Sequence, residues 1–180
     1  MALFDHRVFR CGDNWWVAQV HSGSGAAWGD IPIKIESETA IFSCLTQTDL
    51  PSRSHHIPAN RLNRLAHGSL CLILERARRW DSRFKMSPFN APDAEEGGTE
   101  LTDDEGLRWN IKVTNAVDST SDVVPGLEFI CLDDSALRFS VTLGDLEQVN
   151  RLLESPERLR RVIHGYAGTL MKWEPQQSPI

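Results

Sequence analysis

The pattern Phe-x-Cys-Leu occurs twice, as Phe42, Cys44 and Leu45 and again as Phe129, Cys131 and Leu132. Neighbouring positions agree at equal offsets, which is what a structural unit written twice would produce. Eighteen residues past each cysteine stand Leu62 and Val149, and twenty-one past stand Leu65 and Leu152. That three-residue apolar spacing suits a helix facing a core. Upstream, "NWWVAQV" and "LRWNIKV" align Trp16 with Trp109 and Val20 with Val113. Each follows a turn signal, "CGDN" or "DDEG", with Val8 or Leu101 before it, and this reads as a hairpin.

The expected fold is therefore α+β, built from two similar units, each an antiparallel hairpin or meander followed by a helical pair. The first runs over residues 5–82, with a hairpin over Arg7–His21, strands around Ile31–Ile35 and Ala40–Leu45, and helices from about Asn60. The second runs over 100–171, with strands Leu107–Val113, Leu127–Leu132 and Leu137–Thr142 and helices Asp145–Leu153 and Pro156–Tyr166. Ser69 and Ser155 are placed to cap helices, and Pro156 suits a first helical turn because its missing N–H costs nothing there. Between the units, residues 83–99 read as an acidic Pro/Gly linker or loop, and both units are expected within one compact domain. The tail after Trp173 reads as frayed.

A chain of 180 residues with 41% apolar and 24% charged residues can bury an ordinary core. No apolar run of about 18 residues occurs, and the opening "MALFDHRVFR" mixes acid and base, so neither a membrane span nor a secretory signal is expected. The default location is cytoplasmic. Four cysteines without a C-x-x-C pair imply no disulfides. A net charge of −6 argues against general affinity for nucleic acid or an anionic membrane.

The charge is uneven along the chain. Residues 53–85 carry eight basic groups against Glu75 and Asp81, and residues 93–105 then carry seven acids and no base. This predicts a basic helix face at Arg76, Arg78 and Arg79, with an acidic loop lying near it, and a partner protein with an acidic surface. Six tryptophans are many for this length. Trp15 must point away from Trp16 on the same strand, and Trp28 lies in a Gly-rich loop, so both are candidate recognition anchors. The function expected on these grounds is that of a non-enzymatic protein-interaction or adaptor module with no cofactor.

The alternative is a small metal-dependent or histidine-using enzyme built on His55, His56, His67 and Cys71. His67 and Cys71 are four apart, as ligands on one helical face would be, although His55 and His56 hold no fixed spacing to them. Other chemistry finds less support. "GSG" at 23–25 lacks the strand–G-x-S-x-G–helix context of a nucleophile elbow, and no Gly-Lys-Ser/Thr follows it to cradle phosphate. Asp103, Asp104 and Glu105, like Asp133 and Asp134, fall at turns, where Asp side chains bond to nearby backbone.

Overall fold

The structure is a computed structural model that describes residues 6–21, 37–80, 91, 97–117 and 119–175. The chain forms two compact units, residues 1–91 together with 170–180, and residues 92–169. Each described unit is an antiparallel sheet combined with helix, an α+β arrangement. The strand expected at Ile31–Ile35 lies outside the described residues.

The first unit carries strands β1 (His6–Cys11), β2 (Asn14–His21), β3 (Ser37–Cys44), β4 (Arg53–Pro58) and β5 (Arg78–Arg79), paired in that order. A two-residue turn joins β1 to β2 and puts Cys11 opposite Asn14. Gly12 takes φ +63° there, a left-handed value that glycine adopts without steric cost. Between β4 and β5 come a single 3-10 turn at Leu62–Arg64 and helix α1 (His67–Arg76). Phe9, Trp16, Ala18, Phe42 and Cys44 on the sheet meet Leu62, Leu65, Leu70, Ile73 and Leu74 in one apolar core.

Arg7 lies inside this core. It shares the inward face of β1 with Phe9, is 0% exposed, and its guanidinium donates to the carbonyls of Leu62 and Leu65, each at 2.8 Å. Residues 171–175 join this unit too, and of the tail expected to fray after Trp173 only Glu174 and Pro175 are among the described residues. Met171 makes a parallel bridge to Leu65, and Trp173 N–H donates to the Ser69 hydroxyl at 3.0 Å.

In the second unit β6 (Thr99–Thr102), β7 (Arg108–Val117), β8 (Val123–Cys131) and β9 (Arg138–Thr142) pair in sequence order, followed by α2 (Leu146–Leu153) and α3 (Pro156–Ala167). Trp109, Ile111, Leu127 and Phe129 are buried on one face, where Tyr166 of α3 stacks on Phe139 with centroids 4.2 Å apart. The same face of the β7–β8 hairpin continues into solvent as Val113, Val117 and Val123. Gly98 is tightly placed, since a Cβ on it would stand 2.1 Å from Asn110 Oδ1.

The two sheets share several register positions. Trp16 pairs with Cys44 and Trp109 with Cys131; Val20 pairs with Ala40 and Val113 with Leu127. Leu45 N–H donates to Trp15 O and Leu132 N–H to Arg108 O, both at 2.8 Å. The residue opposite the tryptophan on the first strand is Phe9 in one sheet and Leu101 in the other, so the expected match of Val8 with Leu101 is one place out.

The helices differ between units. Ser69 is no cap: α1 begins at His67 after Ala66, and Ser69 lies in its first turn. Ser155 stands at the N-cap position of α3 without a side-chain capping bond, whereas Asp145 accepts from Gln148 N–H at 2.8 Å and caps α2. Asp145→Ala should therefore cost about 1 kcal/mol, and Ser155→Ala under about 0.5 kcal/mol, in urea denaturation. Equal losses would contradict the assignment. Arg7→Ala should cost on the order of 3 kcal/mol, because it strips a charged donor from two buried carbonyls; an unchanged midpoint would show that these bonds contribute nothing.

Candidate functional site

The three arginines singled out by charge do not share a helix face. Arg76 is the last residue of α1, and Ala77 leaves helical geometry at ψ 141°. Arg78 and Arg79 therefore continue as strand, opposite Ser54 and Arg53 of β4. Arg76 donates to the Pro175 carbonyl at 2.9 Å, which commits it to the returning C-terminal segment. Arg78 and Arg79 are exposed on the edge strand, and among the described residues neither has an acidic partner. Arg53, directly across from Arg79, is turned onto the Trp16 ring, with its guanidinium carbon 5.8 Å from the ring centroid and one nitrogen 3.4 Å from the Leu74 carbonyl. That position answers the like-charge repulsion a cross-strand arginine pair would otherwise carry.

Trp15 does not present an open ring. It points away from Trp16, as strand alternation requires, but Val17 and Ile41 on the same face are buried with it and Trp15 is 7% exposed. The sheet is covered on both faces at this position, so Trp15 acts as core. Trp28 lies outside the described residues, as do Asp93, Glu95 and Glu96 of the acidic stretch. The rest of that stretch forms β6 and the turn after it.

The residues of the metal alternative are dispersed. His55 and His56 are neighbours on β4 and so face opposite sides of the sheet. His55 stands edge-on to Trp173 with centroids 5.9 Å apart, and the His56 ring is 3.5 Å from the Thr39 hydroxyl. His67 and Cys71 do meet, Nε2 to Sγ 3.6 Å, on α1 against β1. Among the described residues no group of three His, Cys, Asp or Glu side chains is arranged to hold a metal.

The partner that sequence spacing missed is Cys11. Arg7, Phe9 and Cys11 alternate onto the inward face of β1, and the Phe9 ring lies edge-on to His67. Two residues further along the strand, about 6.6 Å, and one turn further along the helix, about 5.4 Å, bring Cys11 to Cys71. The Cys71 sulfur lies 4.0 Å from the Arg10 carbonyl. A hydrogen bond from the Cys71 thiol is the main reason that the Cys11 thiol titrates below its ordinary value. The charge of His67 adds to this effect, while burial and the Glu75 carboxylate oppose it. Both sulfurs are half-buried at the rim of the core.

The acids at the turns of the second unit do more than close turns. Asp103 accepts from the N–H groups of Glu105 and Leu107, each at 2.9 Å, and its other oxygen holds the Trp109 indole N–H at 2.8 Å. Asp133 is buried and accepts from Arg108 twice over, backbone N–H at 2.8 Å and guanidinium at 2.8 Å. In the first unit Thr46, also two places after the cysteine, accepts from Trp15 N–H at 3.2 Å. On α3, Glu157, Arg160, Arg161 and His164 line a shallow open depression with Asp104, where opposite charges are mixed.

Comparison with protein-family models, with curated proteins and with solved structures finds no match for this chain.

Burial, reinforced by Asp134 and Asp133, pushes the Cys131 thiol from 9.0 up to about 12. Between those values the native chain keeps a proton that the unfolded chain has lost. The stability this confers is complete below pH 9 and disappears as pH rises through about 12. Urea titrations above pH 9 should show wild type losing up to about 1.4 kcal/mol per pH unit more than Cys131→Ala. Parallel pH profiles for the two proteins would refute the shift.

Proposed function

We propose that this chain is a non-enzymatic protein-interaction module that binds an acidic, extended segment of a partner along the β5 edge of its first sheet. The observation that carries this reading is the pair of exposed arginines, Arg78 and Arg79, on an edge strand with no acidic partner among the described residues. An incoming strand satisfies the outer backbone groups of such an edge, while side-chain pockets or charges select its sequence. Because consecutive strand residues face opposite ways, one guanidinium stands on each face, and adjacent acids on the added strand would meet one each. Phosphate groups of nucleic acid fit less well, since the chain as a whole is acidic at −6.

We further propose that the two units are copies of one sheet-and-helix module. The coincident registers at Trp16–Cys44 and Trp109–Cys131, with the same backbone bond beyond each pair, support this. Residues without a membrane-crossing helix among those described, and four cysteines held as thiols, suit a reducing cytoplasmic setting.

A labelled peptide of Glu-Glu pairs spaced by Thr-Thr pairs, which offers adjacent acids to both faces, followed by fluorescence anisotropy, tests the docking edge. It should bind at low salt, weaken as the Debye length shortens to roughly 3 Å at 1 M, and bind on the order of ten-fold more weakly to Arg78→Glu/Arg79→Glu. Equal binding by the double variant, or by a Lys/Thr peptide, would end the proposal.

A further inference from the structure

We propose that Cys11 and Cys71 form a redox-active dithiol that a low-molecular-weight disulfide converts into an intramolecular Cys11–Cys71 disulfide, with His67 as the base for the second step. Three observations place the groups together. The Cys71 sulfur stands 4.0 Å from the carbonyl of Arg10, the residue that leads into Cys11, His67 Nε2 stands 3.6 Å from Cys71 Sγ, and the Phe9–His67 contact fixes the strand against the helix one step away. Both sulfurs are half-buried, whereas Cys44 and Cys131 are buried, so an external disulfide reaches the first pair preferentially.

The exchange balances without any further reactant. The Cys11 thiolate attacks one sulfur of the small disulfide; a Cys11–S–S–R bond forms, the original S–S bond breaks, and RS⁻ departs to take up a proton from water. The Cys71 S–H then passes its proton to His67 Nε2, and the thiolate attacks Cys11 Sγ. The Cys11–S–S–R bond breaks, the protein disulfide forms, and a second RS⁻ leaves with the proton returned from the imidazolium. Two protein thiols are oxidised and one small disulfide is reduced to two thiols. The His67 base stands beside Cys71, which makes Cys71 the resolving thiol, and the lowering of the Cys11 thiol agrees with its place as the first nucleophile.

This arrangement differs from a structural disulfide. Closing the bond ties the end of β1 to α1, elements already packed through Phe9 and His67, so oxidation locks an existing contact. The loop it closes spans residues 11 to 71 and contains β2, β3 and β4. Oxidised protein should therefore resist unfolding more than reduced protein, because the closure restricts the unfolded chain.

The test is incubation of the native full-length chain with oxidised glutathione, followed by alkylation of remaining thiols and peptide mass mapping. Wild type should lose two hydrogens and give a Cys11–Cys71 crosslinked peptide, with Cys44 and Cys131 alkylated only after denaturation. Cys71→Ser should stop at one glutathione on Cys11, and Cys11→Ser should form no intramolecular bond. His67→Gln should accumulate the mixed disulfide, slowing its resolution by on the order of a hundred-fold near neutral pH, with the difference shrinking at alkaline pH where Cys71 ionises unaided. Circular dichroism of each variant confirms that it is folded. A crosslink joining any other pair, glutathione found first on Cys71, or resolution as fast in His67→Gln as in wild type at neutral pH would overturn the proposal. None of these outcomes depends on whether β5 binds an acidic strand.

Discussion

The buried guanidinium of Arg7 organises the first unit. The 3-10 turn that follows β4 and the residue just past it place the carbonyls of Leu62 and Leu65 in an apolar core, where an unmade bond to either would be costly. Arginine reaches both from β1, and its fixed fork lets one group hold two acceptors. The turn is thereby fixed against the first strand, α1 starts in a defined direction, and His67 and Cys71 come to lie along β1 beside Phe9 and Cys11. The thiol pair depends on this placement, although Arg7 touches neither sulfur in the bonds that define its position.

The two sheets meet similar demands with different chemistry. At the first, the Trp16 ring carries the Arg53 guanidinium; at the second, the Trp109 ring meets Phe139 edge-on with centroids 5.9 Å apart. Two places beyond each cysteine, a neutral Thr46 or a charged, buried Asp133 closes the backbone of the preceding strand. The charged version requires a matching guanidinium, which Arg108 supplies; Trp15 occupies the corresponding place beside Thr46 and needs none. A common backbone register therefore tolerates an apolar or a charged solution at the same site, provided each polar atom finds its complement.

Much of this was legible in the sequence. The turn signals and period-two alternation located the hairpin over Arg7–His21, and α2 and α3 lie within one residue of the limits expected from Asp145, Pro156 and the apolar spacing. Strands β4 and β5 were not legible. "RSHHIP" has only Ile57 as a deeply buried apolar residue, and β5 is two arginines whose strand character comes entirely from pairing with β4. Charge counting placed those arginines on a helix because nothing local marks Ala77 as its end. The capping role of Ser155 failed for a related reason: the residue type and the following proline fit, but the side chain does not make the bond. Cys11 escaped because its partners, His67 and Cys71, lie more than fifty residues away, and only the folding of β1 against α1 creates the group.

The return of the chain to its first unit has a consequence for biosynthesis. Met171 bridges to Leu65, Trp173 reaches Ser69 and Arg76 holds Pro175, so the first unit is completed by the last described residues while the second unit is an uninterrupted segment between them. A nascent chain emerging from the ribosome can close the second sheet and its helices before the first has its final pieces. Until residues 171–175 are released, α1 keeps a side open that the finished protein covers, so N-terminal-first folding does not complete the first unit. Vectorial synthesis would thus favour completion of the inserted unit ahead of the first one, and a stop codon at position 170 would leave the first unit, rather than the second, exposed to cellular proteases.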